Sequence, residues 1–178
     1  VTAVTVELRE ARRGDELRVA ELHVRSWQEA YDGLMPVEFL AALDPRERAE
    51  RYTFEDAEGP TTLLALDGDG APPGQEALLG FASFGPSRDE DLPDHGEIGA
   101  LYVDPDRHRG GIGRLLMAEV RRRLAADGYT DAFLWVLDGN DRARQFYERE
   151  GWVADGAGRE ENPYDIVSNV SRFRRRLP

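Results

Sequence analysis

The sequence predicts a mixed α/β fold in which strands and helices do not alternate regularly. Three observations carry that reading. Helical apolar periodicity near the N-terminus gives way to a cluster of strand-like runs. The turn-dense stretch D-G-D-G-A-P-P-G-Q separates two of those runs as a hairpin would. Further on, the apolar run D-A-F-L-W-V-L sits between two helical patterns. The resulting order, β-α-α-β-β-β-α-β-α-β-β, is too irregular for a doubly wound sheet.

Each element has a local reason. V-T-V-E-L-R alternates as a short strand near residues 4–10. Asp15 opens an amphipathic helix in which Leu17, Ala20, Val24, Trp27 and Tyr31 recur at helical spacing, and Gly33 and Pro36 end it. A second helical piece is expected over residues 36–52, with a break near Asp44-Pro45. After the loop E-D-A-E-G-P come the strands T-T-L-L-A-L and E-A-L-L-G-F-A-S-F; the loop P-S-R-D-E-D-L-P-D-H-G then leads into the strand E-I-G-A-L-Y-V. From Gly113 a helix places Leu116, Val120 and Leu124 on one stripe and stops at Gly128. The last helix has Asn140 at its N-cap and Gly151 just past its end. W-V-A-D reads as a short strand, and Tyr164 to Phe173 as a final strand followed by an arginine-rich tail.

Composition removes several kinds of chemistry. The 178 residues, the length of one domain, contain no cysteine, and all 23 basic residues are arginine. Without lysine there is no Walker phosphate loop, pyridoxal Schiff base, kinase strand lysine or Schiff-base aldolase. Without cysteine there is no thiol nucleophile, disulfide or thiolate metal centre. Three histidines, His23, His95 and His108, with no H-E-x-x-H pattern, give no metal site. The absence of a signal-like N-terminus or an apolar run of spanning length makes a soluble, cytoplasmic protein the expectation. A net charge of −12 argues against nucleic-acid and anionic-membrane partners. That excess lies entirely in residues 1–95, with 21 acids and 9 arginines, whereas residues 96–178 hold 14 of each. Such a division suits a cationic ligand on the first half and an anionic one on the second.

Two segments carry the chemistry. In L-Y-V-D-P-D-R-H-R-G-G-I-G-R-L-L-M a strand ends, a loop of glycines and arginines follows, and a helix starts at once. Glycines let backbone N–H groups approach a ligand closely, and the unpaired amides of a helix start favour an anion such as a pyrophosphate. The spacing is not that of the dinucleotide fingerprint, because no third glycine follows Gly111-Ile112-Gly113 in place. In N-D-R-A-R-Q-F-Y-E-R-E-G-W, Asn140, Ala143 and Tyr147 share one helix face, with a polar amide at its start and a phenol two turns along.

Taken together, the two segments resemble the GNAT superfamily of acyl-CoA-dependent N-acyltransferases over nearly the whole chain. The hallmarks read here as Val103-Asp104-Pro105, the loop His108 to Gly113, Asn140 to Tyr147, and Gly151-Trp152. The family's Arg/Gln slot holds His108, with Arg109 beside it. H-V-R-S-W-Q-E-A-Y-D-G-L-M-P also resembles the first helix of a common bacterial subgroup. The resemblance implies a single domain over residues 1–178 with a mostly antiparallel sheet of about seven strands and about four flanking helices, the fourth and fifth strands splayed. Residues 1–95 would form the acceptor side and 96–178 the acetyl-CoA side, and homodimers are frequent in the family.

The resemblance also implies roles. Backbone of Leu101, Tyr102 and Val103 would pair with the pantetheine of acetyl-CoA. Amides of Arg109, Gly110, Gly111, Ile112, Gly113 and Arg114 would cradle the pyrophosphate, beside His108. Asn140 and Ala143 would line the pantetheine arm. Glu97 is the candidate general base, and Tyr147 the acid that protonates the departing thiolate. On the first helix Trp27 and Tyr31, together with Glu97, are candidates for contacting the acceptor, and the acidic loop Asp89 to Asp94, Glu29 and Asp32 would attract a cationic one. The expected reaction is direct acetyl transfer from acetyl-CoA to a primary amine of a small cationic acceptor such as a polyamine, an aminoglycoside-like compound or an amino-acid derivative. A peptide or protein N-terminus is a competing acceptor, and a non-catalytic acyl-CoA-binding or regulatory module a competing class.

Overall fold

A computed structural model describes residues 5–72, 74–162 and 165–178. One seven-stranded sheet runs through them in the order β1-β2-β3-β4-β5-β7-β6. Its strands are β1 (Val6–Glu10), β2 (Thr61–Asp67), β3 (Leu78–Pro86), β4 (Gly96–Val103), β5 (Asp131–Leu137), β6 (Val153–Glu161) and β7 (Ser168–Arg176). The helices are α1 (Glu16–Ala30), α2 (Val37–Ala42), α3 (Pro45–Ala49), α4 (Ile112–Ala126) and α5 (Asp141–Arg149), with a 3-10 turn at Pro105–Arg107. All strand pairs are antiparallel except β4 with β5, which the α4 crossover makes parallel.

The apolar stripe of α4 lies flat on β3 and β4 because two strand positions have no side chain. A Cβ on Gly80 would stand 3.1 Å from Leu116 and 3.2 Å from Ile112, and one on Gly96 2.9 Å from Leu124. Leu116, Val120, Leu124, Ala82, Ile98 and Leu134 form the larger core there. On the opposite face α1 packs Val19 and Leu22 against Leu64, Leu66 and Phe81. Each fully buried leucine contributes roughly 1.5–3 kcal/mol.

Two irregularities in β4 shape the site. The register against β3 slips after Phe84↔Ile98 to Ser83↔Ala100, so Gly99 is an extra residue in β4. The bulge re-aims the strand: Leu101 and Val103 pack on the α4 side, Ala100 and Tyr102 on the α1 side. In addition, β4 and β5 pair only from Gly96↔Ala132 to Ile98↔Leu134. Beyond Ile98 the two strands part, and the backbone edge of β4 from Gly99 to Val103 faces a gap.

The break expected near Asp44-Pro45 is present: residues 36–52 hold two short helices, because Pro45 starts α3 and the Asp44 side chain accepts from the Arg46 N–H. Two expectations need correction. The short strand W-V-A-D is a nine-residue edge strand whose largely exposed side chains hide any alternation. The arginine-rich tail belongs to β7, whose Arg174, Arg175 and Arg176 pair with Phe133, Ala132 and Asp131 of β5. The proposed strand start at Tyr164, and residues 1–4 of the N-terminal segment, lie outside the described residues.

Candidate active site

The loop after β4 is built to expose amides. Arg109 (φ 68°) and Gly111 (φ 77°) both adopt the left-handed conformation, which costs a non-glycine residue of order 1 kcal/mol. Gly111 caps α4 without any side-chain hydrogen bond, so the first N–H groups of the helix have no partner within it. Gly113 sits against Val103 and Phe146, at 3.4 Å and 3.5 Å from where a Cβ would stand. Arg114 extends outward, 3.7 Å from Glu150, with its side chain largely exposed. Those amides, the dipole of α4 and the surrounding arginines can hold a pyrophosphate. The free edge of β4 at Leu101, Tyr102 and Val103 leads from that loop into the gap, as a pantetheine arm would need.

Across the gap stands α5. The Asn140 Oδ1 accepts from the Ala143 N–H at 3.2 Å, which commits that oxygen to the helix cap and leaves the amide nitrogen as its remaining donor. Two turns on, Tyr147 packs its ring 5.3 Å from Phe146 and 6.4 Å from Trp152. Burial pushes its phenol well above the ordinary pKa, helped by Tyr102, so the hydroxyl is a proton donor at neutral pH.

From the α1 side an aromatic group closes on the same place. The Trp27 Nε1–H donates to the Tyr102 hydroxyl at 2.8 Å, and the Tyr31 and Tyr102 hydroxyls lie 3.5 Å apart. Trp27 meets Tyr31 edge to face at 5.1 Å. The Tyr31 phenol is raised far above its usual pKa, by burial first and then by Tyr102, Tyr147 and Glu161. The Tyr31 and Tyr102 hydroxyls therefore meet beside the gap where β4 and β5 part, and the Tyr147 phenol of α5 is near enough to act on both electrostatically. Sequence reasoning used Tyr102 only for its backbone; the bulge at Gly99 is what turns its ring toward α1.

Glu97 is buried one position before the strands part. Its carboxylate is not free. Oε2 accepts from the Arg88 N–H at 2.8 Å and from Arg88 Nε at 3.2 Å, and Oε1 accepts from Arg88 Nη2 at 2.7 Å. The Arg88 side chain is 76% exposed, so it comes to Glu97 from solvent.

The acidic loop after β3 is also more committed than its sequence suggests. Asp89 accepts from Trp135 Nε1 at 2.9 Å and from Arg159 at 2.6 Å, while Arg172 donates to Asp91 and Asp155 at 2.7 Å each. Arg159 also stacks 4.1 Å over Trp135. These contacts strap the loop across β5, β7 and β6, so much of its charge is spent on arginines of this chain. Glu29 is likewise paired, with Arg142 at 2.9 Å. Among the described residues no cluster of three or more side chains suits a metal ion, and no helix is long and apolar enough to cross a membrane.

Comparison with known proteins agrees with this geometry. The acetyltransferase (GNAT) family model matches residues 18–152. The uncharacterized N-acetyltransferase YuaI of Bacillus subtilis is 33% identical over 135 residues, covering 76% of this chain and 73% of that protein. A mycothiol acetyltransferase of Actinosynnema mirum is 32% identical over 146 residues, 79% of this chain but 43% of that protein. In fold, the chain matches the PaiA N-acetyltransferase of Thermoplasma acidophilum, solved in complex with coenzyme A, with a TM-score of 0.67 at 19% identity over 94% of this chain and 98% of that one. The chain thus belongs to the GNAT acetyltransferase family and is an N-acetyltransferase.

Proposed function

We propose that the protein transfers an acetyl group from acetyl-CoA directly to a primary amine of a small, cationic acceptor. The observation that carries this reading is the Tyr31–Tyr102 contact beside the gap where β4 and β5 part, with the Tyr147 phenol near enough to influence Tyr31, and the uncapped amides that open α4. Bound acetyl-CoA supplies an activated thioester. Backbone N–H groups on the open edge of β4 hold its carbonyl oxygen as negative charge develops there. The amine nitrogen bonds to the carbonyl carbon, the carbon–sulfur bond breaks, and Tyr147 gives its proton to the departing sulfur. Glu97 takes the proton from the amine, a role that requires the exposed Arg88 side chain to swing off its carboxylate. No covalent enzyme intermediate is needed, since the chain has no cysteine and no Ser-His-Asp array is evident.

Two findings bear on the acceptor. Similarity to a mycothiol acetyltransferase favours a small-molecule amine over a protein N-terminus. The net charge of −12, concentrated in residues 1–95, favours a cation, although Asp89, Asp91 and Glu29 are paired internally. Purified protein should be given acetyl-CoA and a panel of polyamines, aminoglycosides, amino-acid amides and peptides, with released thiol as the readout. Turnover is expected with the small cationic amines and should fall as salt rises. Turnover confined to peptides, or insensitive to salt, overturns the acceptor assignment.

A further inference from the structure

Three side chains from three elements meet at the mouth of the gap. Arg142, the second residue of α5, donates through Nη1 to Glu29 Oε1 of α1 at 2.9 Å, and its Nη2 lies 3.4 Å from His108 Nε2 in the loop after β4. His108 Nδ1 is 3.6 Å from the same Glu29 oxygen. A guanidinium can only donate, so His108 Nε2 is the acceptor and the ring proton sits on Nδ1, facing Glu29. The contacts join the two lips of the opening, since His108 follows the end of β4 and Arg142 follows the end of β5. The N-termini of α4 and α5, helices of 15 and 9 residues, both open onto this place and add partial positive charge.

We propose that Arg142 is a pyrophosphate-binding residue for the acyl-CoA substrate, and that Glu29 competes with the pyrophosphate for it. This inference rests on acyl-CoA occupying the gap. An imidazole at position 108 cannot supply the two-pronged, permanently charged contact that an arginine gives a phosphate. Arg142 brings such a fork from α5 to within reach of His108, the residue before the left-handed Arg109. Its pairing with Glu29 is exchangeable: the side chains are 57% and 40% exposed, and exposed ion pairs are weak. A pyrophosphate carries more charge than one carboxylate and accepts both prongs of the guanidinium. Once released, the Glu29 carboxylate is left two residues from Tyr31, so cofactor binding adds negative charge on the acceptor side and favours cofactor-first order with a cationic amine.

The test is direct binding, measured by calorimetry with three probes: CoA, dephospho-CoA and pantetheine. Arg142→Ala should raise the Kd for CoA and for dephospho-CoA about tenfold and leave pantetheine unchanged, with Arg142→Lys in between. Glu29→Gln should tighten CoA about threefold without affecting pantetheine. The inference is overturned if Arg142→Ala binds CoA within twofold of the parent. It is equally overturned if all three probes weaken alike, which marks a structural role, or if the effect vanishes with dephospho-CoA, which marks a contact to the 3′-phosphate. A parent protein that binds none of the probes refutes the acyl-CoA reading itself.

Discussion

Replacing Tyr147 with phenylalanine removes one oxygen and tests the proposed acid directly. The ring contacts with Phe146 and Trp152, at 5.3 Å and 6.4 Å, do not involve the hydroxyl, so the variant should keep its stability to within about 0.5 kcal/mol. Burial holds the phenol protonated well beyond neutral pH, so the parent enzyme has its donor available across the whole physiological range. Loss of a positioned general acid lowers a rate by roughly 10²–10⁴, and each factor of ten corresponds to about 1.4 kcal/mol. The expectation is therefore a fall in kcat of at least ~100-fold, about 2.7 kcal/mol of transition-state stabilisation, with the Kd for acetyl-CoA unchanged. Single-turnover thiol release isolates the chemical step from product release, and calorimetry gives the Kd separately. A single-turnover rate within threefold of the parent would refute the acid role. A lowered rate accompanied by a matching loss of acetyl-CoA affinity would show instead that the hydroxyl only binds.

Three further outcomes follow from particular contacts. Glu97→Gln should lower kcat by ~100-fold or more while Arg88→Gln lowers it by less than tenfold, as steady-state kinetics will show; equal losses would mean that the pair is structural rather than that Glu97 is the base. His23, buried against Tyr102 and hydrogen-bonded to Tyr52 at 2.6 Å, has its pKa lowered to about 3, from 6.5, by burial and by Arg48. The unfolded chain then takes up a proton that the folded one refuses, so this contribution is complete above pH 6.5 and is lost on acidification toward pH 3, with a slope approaching ~1.4 kcal/mol per pH unit. Urea titrations from pH 7 to pH 4 should show His23→Gln flattening that slope, and parallel curves would contradict it. Gly80→Ala would bring a Cβ to 2.9 Å from the Tyr102 carbonyl oxygen and against Leu116 and Ile112, so a loss of ~1–3 kcal/mol is expected in chemical denaturation, and a neutral effect would mean that α4 is not seated as described.

Much of the fold was legible because its signals are local. The stripe Leu116, Val120 and Leu124 announced α4, Asn140 and Gly151 bracketed α5, and the run D-A-F-L-W-V-L announced β5. Those signals failed where pairing and burial rather than propensity decide: β6 has too little buried surface to show alternation, and β7 runs on through Arg174, Arg175 and Arg176, read as a tail, because they pair with Phe133, Ala132 and Asp131 of β5. The candidate site divides in the same way. Its glycine-rich loop and the Asn140–Ala143–Tyr147 face lie within single stretches of chain and were visible in them.

Contacts between distant stretches were not. Nothing local links Arg88 to Glu97, Trp27 to Tyr102, or Glu29 to Arg142, since each depends on which strands and helices become neighbours. By itself the sequence determined the element order, the exclusion of lysine and thiol chemistry, and a glycine-rich loop opening a helix, because periodicity, composition and glycine content are properties of the chain. Only the tertiary structure decided which charges remain available to a ligand and which phenols face one another. Pairing and desolvation depend on distance in space, and a single extra residue at Gly99 is enough to turn Tyr102 from one face of the sheet to the other.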